Sequence, residues 1–140
     1  MLGMTRRMIC VFGGREFVAH MALNRALDHL HGMYRFTHLL HGNARGADTL
    51  ADQWARAHGV QPVACDALWE YYRGLGKVKV AGKTRNGTML ELEPDFGLCC
   101  PGGNGTADML ERFLAYMAMR ADVRLYELDI VRNVLHPRLR

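Results

Sequence analysis

Phe96-Gly97-Leu98-Cys99-Cys100-Pro101-Gly102-Gly103-Asn104-Gly105-Thr106 is a short apolar run that breaks into three glycines within four residues. Met109, Leu110, Phe113, Leu114 and Met117 then recur at helical spacing. The pattern is strand, glycine loop, helix. Glycines let the backbone pass close to a ligand and take positive φ. Thr106 is a good N-cap for the helix that follows. Such a loop can seat a phosphate on main-chain N–H groups at a helix N-terminus. A plain turn needs one glycine or two, so Pro101, Gly102, Gly103, Asn104, Gly105 and Thr106 are the first candidates for a ligand site.

Two other strand-like runs end the same way. Arg7–Phe12 runs into Gly13-Gly14, and Phe36–His41 into Gly42. Between them Ala19, Ala22, Leu23, Ala26, Leu27 and Leu30 mark a helix, with Gly32 as its stop. Ala47, Leu50, Ala51, Trp54 and Ala55 mark a second helix closed by Gly59. Val60–Cys65 reads as a third strand, with Asp66 at its end. A short helix is expected from about Lys83 to Leu92, and Val123–Leu128 as the last strand. Strands alternating with helices predict right-handed βαβ units. The expected fold is a single α/β domain with a doubly wound, mainly parallel sheet of about five strands. Its core runs over about 7–128, with 129–140 as a tail. Ligands bind such sheets beyond the carboxyl ends of the strands.

The chain has 140 residues, 49% hydrophobic and 23% charged, which excludes extended disorder, collagen and coiled coil. No apolar run approaches the roughly 18–20 residues of a membrane span. Met8–Phe12 is too short for a secretory core. A soluble, cytoplasmic protein is expected. The net charge of +4 suits an anionic ligand without demanding nucleic acid. Cys10, Cys65, Cys99 and Cys100 form no C-x-x-C pair and no zinc spacing with histidine. They read as buried, reduced thiols, and no metal is expected.

The other loops carry candidates of mixed strength. Arg15, after Gly13-Gly14, favours phosphate because an arginine fork suits it well, with pairing to Glu16 or another surface carboxylate as the plainer reading. In His41-Gly42-Asn43-Ala44-Arg45-Gly46-Ala47-Asp48, Gly42 and Gly46 flank a loop that favours a ligand. Asp48 fits the dipole of a first helical turn, or a ribose hydroxyl, or a clamp on a neighbouring loop. His41 could touch the ligand. Arg85 and Asn86 in Ala81-Gly82-Lys83-Thr84-Arg85-Asn86-Gly87-Thr88-Met89 sit at or near the expected helix start. The spacing there is not that of a Walker loop. Trp69, with Tyr71 and Tyr72, can stack on a base or roof the core.

Taken together these loops resemble the SLOG superfamily of Rossmann-like proteins, named for the Smf/DprA and Lonely Guy proteins, and within it the YspA, cpYpsA-related branch. The resemblance rests on Gly13-Gly14-Arg15, on His41 to Asp48 with Trp54-Ala55, on Asp66 with Trp69, on Gly76-Lys77 and Ala81-Gly82 before Arg85-Asn86 and Met89, and on Pro101 to Met109. It runs from about Ile9 to Leu128. It implies a pocket for a nucleotide or nucleotide-derived molecule, no obligatory cofactor, and a homodimer, for which Met89, Leu90 and Leu92 offer an apolar hint. The stretch Tyr71–Val80 looks longer than the family's. Lonely Guy phosphoribohydrolases carry P-G-G-x-G-T-x-x-E with a catalytic glutamate, and here Met109 holds that place.

The leading expectation is therefore binding of a nucleoside phosphate, ADP-ribose or an NAD-derived signal without turnover. The alternatives are a hydrolase of the N-glycosidic bond using Asp108, Asp48 or Asp66, and single-stranded DNA binding. Scattered charge argues against the last, which needs a basic groove with stacking aromatics.

Overall fold

A computed structural model of the chain describes residues 5–66, 73–76 and 78–138. Among them, ten elements follow in order: β1 (Met8–Phe12), α1 (His20–Tyr34), β2 (His38–His41), α2 (Ala47–Ala57), β3 (Gln61–Ala64), α3 (Val78–Glu91), β4 (Phe96–Cys99), α4 (Asn104–Ala118), β5 (Arg124–Asp129) and β6 (Val134–Arg138). The strands form one sheet in the order β3-β2-β1-β4-β5-β6. The first five are parallel, and β6 returns antiparallel to β5. This is a Rossmann-like α/β domain with six strands rather than about five.

The sequence explains why β1 is central. Met8-Ile9-Cys10-Val11-Phe12 is apolar at every position and buried at every position, as a strand covered on both faces must be. Its side chains divide by alternation. Ile9 and Val11 join one core with Leu23, Leu27 and Leu30 of α1 and Ala51 and Trp54 of α2. Met8, Cys10 and Phe12 join the other with Met89 of α3 and Met109, Phe113 and Met117 of α4. Thus α1 and α2 cover one face, and α3 and α4 the other.

Several expectations move. Gly32 does not stop α1, which runs on to Tyr34 and ends at Arg35 in the left-handed region, φ 56°. Helix α3 starts earlier than Lys83, so Arg85 and Asn86 lie in its middle rather than at its start. The N-cap of α4 is Gly103, with no side-chain hydrogen bond, and Thr106 sits in the first turn instead. Residues 134–138, expected as part of a tail, form β6. Met89 is buried in the core rather than presented to a second chain, while Leu92 is exposed. No helix among the described residues is long and apolar enough to cross a membrane.

The strand order reverses between β1 and β4. Chain leaving β1 turns toward β2, and chain leaving β4 turns toward β5. The two loops diverge and open a crevice at their carboxyl ends, the usual ligand position in open α/β sheets. Both sheet edges, β3 and β6, contain a proline, Pro62 and Pro137.

Candidate functional site

The ladder between β1 and β4 continues past the strands. Phe12 stands opposite Cys99, the Cys100 N–H donates to the Phe12 carbonyl at 2.8 Å, and the Gly14 N–H donates to the Pro101 carbonyl at 2.9 Å. The two glycine loops are therefore laced together at their roots. Beyond them lies a cleft of about 1080 Å³, walled by residues 12–19, by the α3 segment around Arg85, and by residues 101–109.

The glycines here do two different jobs. A Cβ on Gly13 would stand 2.7 Å from the Cys100 Cβ, and one on Gly102 would stand 2.6 Å from the Gly14 nitrogen. Gly46, at φ 78°, would meet the Arg15 carbonyl at 2.6 Å. These three positions are close-packed backbone crossings. Gly103 and Gly105 are the opposite case, since a Cβ there meets nothing within 4 Å. Both line the cleft and both are exposed. They open the first turn of α4, whose leading N–H groups have no partner inside the helix.

Cationic groups stand beside that turn. Arg15, Lys83 and Arg85 all line the cleft. Arg85 is fixed by its own hydrogen bonds: Nη1 donates to the Gly42 carbonyl at 2.6 Å and Nε to Asn86 Oδ1 at 3.2 Å. Gly42 has no side chain because the guanidinium occupies that space; a Cβ there would stand 2.6 Å from Arg85 Cζ. Asn86, buried at 2% exposure, donates from Nδ2 to the Gly105 carbonyl at 3.1 Å and to Asp108 Oδ2 at 3.0 Å. Arg112 Nε donates to the same Asp108 oxygen at 2.9 Å. Asp108 thus lines the cleft already paired to two donors.

The loop 41–46 is held from α2. Asp48 Oδ2 accepts the N–H groups of Gly42 and Ala44 at 3.1 and 3.2 Å. One turn later Asp52 Oδ2 meets His41 Nε2 at 2.7 Å. His41 Nδ1 accepts the Asn43 N–H at 3.0 Å, so Nε2 carries the proton given to Asp52. Burial pushes the Asp48 carboxyl above the ordinary value, against the pull of the Ala44 N–H and the Arg85 charge. Burial also opposes the Asp52 carboxylate, but hydrogen bonds from Arg56 and His41 outweigh it and hold that group below the ordinary value.

Among the expected ligand residues, Gly13, Gly14, Arg15, Asp48, Arg85, Asn86 and all six of Pro101 to Thr106 line the cleft. Gly42, Asn43, Arg45 and Gly46 are outside that lining and build the loop. Asn43, at φ 55°, donates from Nδ2 to Asp66, and Arg45 pairs with Glu16. His41 serves the loop rather than the cleft, and Trp69 lies outside the described residues. The lining also includes Val18, Lys83, Glu111 and Ile130. Lys83 stands in a basic cluster of the sequence, whereas the other three carry no motif.

Residues 7–72 match the model of the YspA, cpYpsA-related SLOG family. The matched segment includes the turn at 13–14 and the loop at 41–48, and stops before the turn at 101–106. No curated protein matches the chain.

Proposed function

We propose, from the match of residues 7–72 to the YspA, cpYpsA-related SLOG family and from the geometry of the cleft, that the cleft binds a nucleotide or nucleotide-derived molecule with its phosphate on the first turn of α4. The observation that carries this reading is the pair Gly103 and Gly105. The close-packed glycines are explained by the backbone around them; these two have open space instead, at the uncapped start of a helix. An anion there meets main-chain N–H donors and the positive end of the helix dipole. Arg15, Lys83 and Arg85 add charge from neighbouring elements, and an arginine held by fixed hydrogen bonds is pre-set for a phosphate oxygen.

The ligand is held rather than cleaved in this reading. Glycosidic cleavage develops positive charge that an aimed carboxylate stabilises. Met109, in the place where the resembling enzymes hold a glutamate, is buried in the core at 1% exposure. The hydrolase reading keeps the support of two of its candidate carboxylates, Asp108 and Asp48, in the cleft lining.

Calorimetry with AMP, ADP-ribose and NAD tests the proposal. Wild type is expected to bind at least one of them, and Gly105→Val to lose that binding while keeping its fold by circular dichroism. Equal binding by both proteins, or none by wild type, refutes it.

A further inference from the structure

The cleft has a second lining, which the phosphate reading leaves unused. Val18 is 79% exposed and Ile130 is 42% exposed, yet both are aliphatic and both line the cleft. Neither belongs to the two hydrophobic cores. Val18 stands between the Gly13-Gly14 turn and α1. Ile130 is the first residue past β5, at the carboxyl end of a strand parallel to β1 and β4. Neighbouring Phe17 also lines the cleft but is buried in the core on the α1 side of the sheet. Lys83 and Arg85 come from α3, which packs on the opposite face. One cleft therefore receives cationic side chains from α3 and from Arg15 on the β1–α1 loop, and exposed aliphatic surface from Val18 on that same loop and from Ile130 on the β5–β6 turn.

We propose that Val18 and Ile130 form the subsite for the base of the bound nucleotide, and that the base is a purine. This rests on the nucleotide reading above and names the other half of the ligand. Aliphatic side chains cover a ring face but offer no donor or acceptor to its edge. Recognition at these two residues then follows the apolar area covered rather than the hydrogen-bonding pattern of the base. Purines present more area than pyrimidines, so AMP, GMP and IMP bind alike, and each binds more tightly than UMP or CMP.

The test compares AMP, UMP and ribose 5-phosphate by calorimetry on wild type, Val18→Asn and Ile130→Asn. Both substitutions are neutral and fall on exposed side chains, and thermal melts check the fold. Wild type is expected to bind AMP about tenfold more tightly than ribose 5-phosphate, as the covering of a ring face would give. Each variant is expected to lose most of that advantage while binding ribose 5-phosphate as wild type does. Wild type binding UMP as tightly as AMP overturns the proposal, as do variants that bind AMP unchanged. Wild type binding neither AMP nor ribose 5-phosphate refutes the nucleotide reading itself, and the subsite with it.

Discussion

The Gly14 N–H donates to the Pro101 carbonyl at 2.9 Å, joining the loop after β1 to the loop after β4. This bond lies at the point where the strand order reverses, and it fixes how far apart the two loops can stand. Gly102 lies directly beside it, and a side chain there would press on the bond's own nitrogen at 2.6 Å.

Gly102→Ala is therefore expected to destabilise the protein by roughly 1–3 kcal/mol through overpacking. Gly105→Ala, inside the first turn of α4, has open space and is expected to leave stability unchanged or raise it by up to about 1 kcal/mol, because alanine is the better helix former. Thermal melts of the two variants distinguish them. Equal melting temperatures would contradict the division into packed and open glycines.

Arg85→Lys keeps a positive charge but loses the fork that bonds Gly42 and Asn86. A fall of about tenfold or more in nucleotide affinity is expected, read by calorimetry. Affinity within twofold of wild type would mean that Arg85 serves the loop alone.

Incubation with nucleoside monophosphates, NAD and ADP-ribose is expected to release no free base above background, for wild type and Asp108→Asn alike. Release by wild type that vanishes in Asp108→Asn would establish the hydrolase instead, with Asp108 as its acid.

Asp52→Ala leaves the buried His41 Nε2–H without its acceptor, a loss of about 1–3 kcal/mol at neutral pH. The Asp52 carboxyl titrates lower in the folded chain than its ordinary value of 3.8. The unfolded chain thus binds the proton first on acidification, and the stability from this group fades as pH falls below 3.8 through the lowered value. The gap between wild type and variant should narrow over that range in urea titrations. A gap that widens would reverse the sign argued for Asp52.

The strands that end in glycine were legible because burial on both faces writes a continuous apolar run, as in Met8–Phe12. Strand β6 was not. Val134-Leu135-His136-Pro137-Arg138 has two apolar residues before a proline, and its pairing with β5 supplies what its composition lacks. Helix α3 hid its start because Gly82 and Gly87 interrupt it and no regular apolar stripe marks it; packing against α4 supports it instead. The glycine loops were visible as clusters, but sequence cannot separate Gly102, pressed on backbone, from Gly103, facing open space. Asp48 and Asp52 sit four residues apart on α2, and only the folded loop shows that both hold 41–44.

The prolines on the two outermost strands bear on how copies of this chain meet. An unpaired strand edge is a template for another strand, and such growth leads to fibres and aggregates. Pro62 in β3 and Pro137 in β6 each remove an amide hydrogen that an added strand would use. Continuing the sheet from one molecule into the next is thereby disfavoured at both ends, and helices and loops are left as the surfaces through which copies can associate.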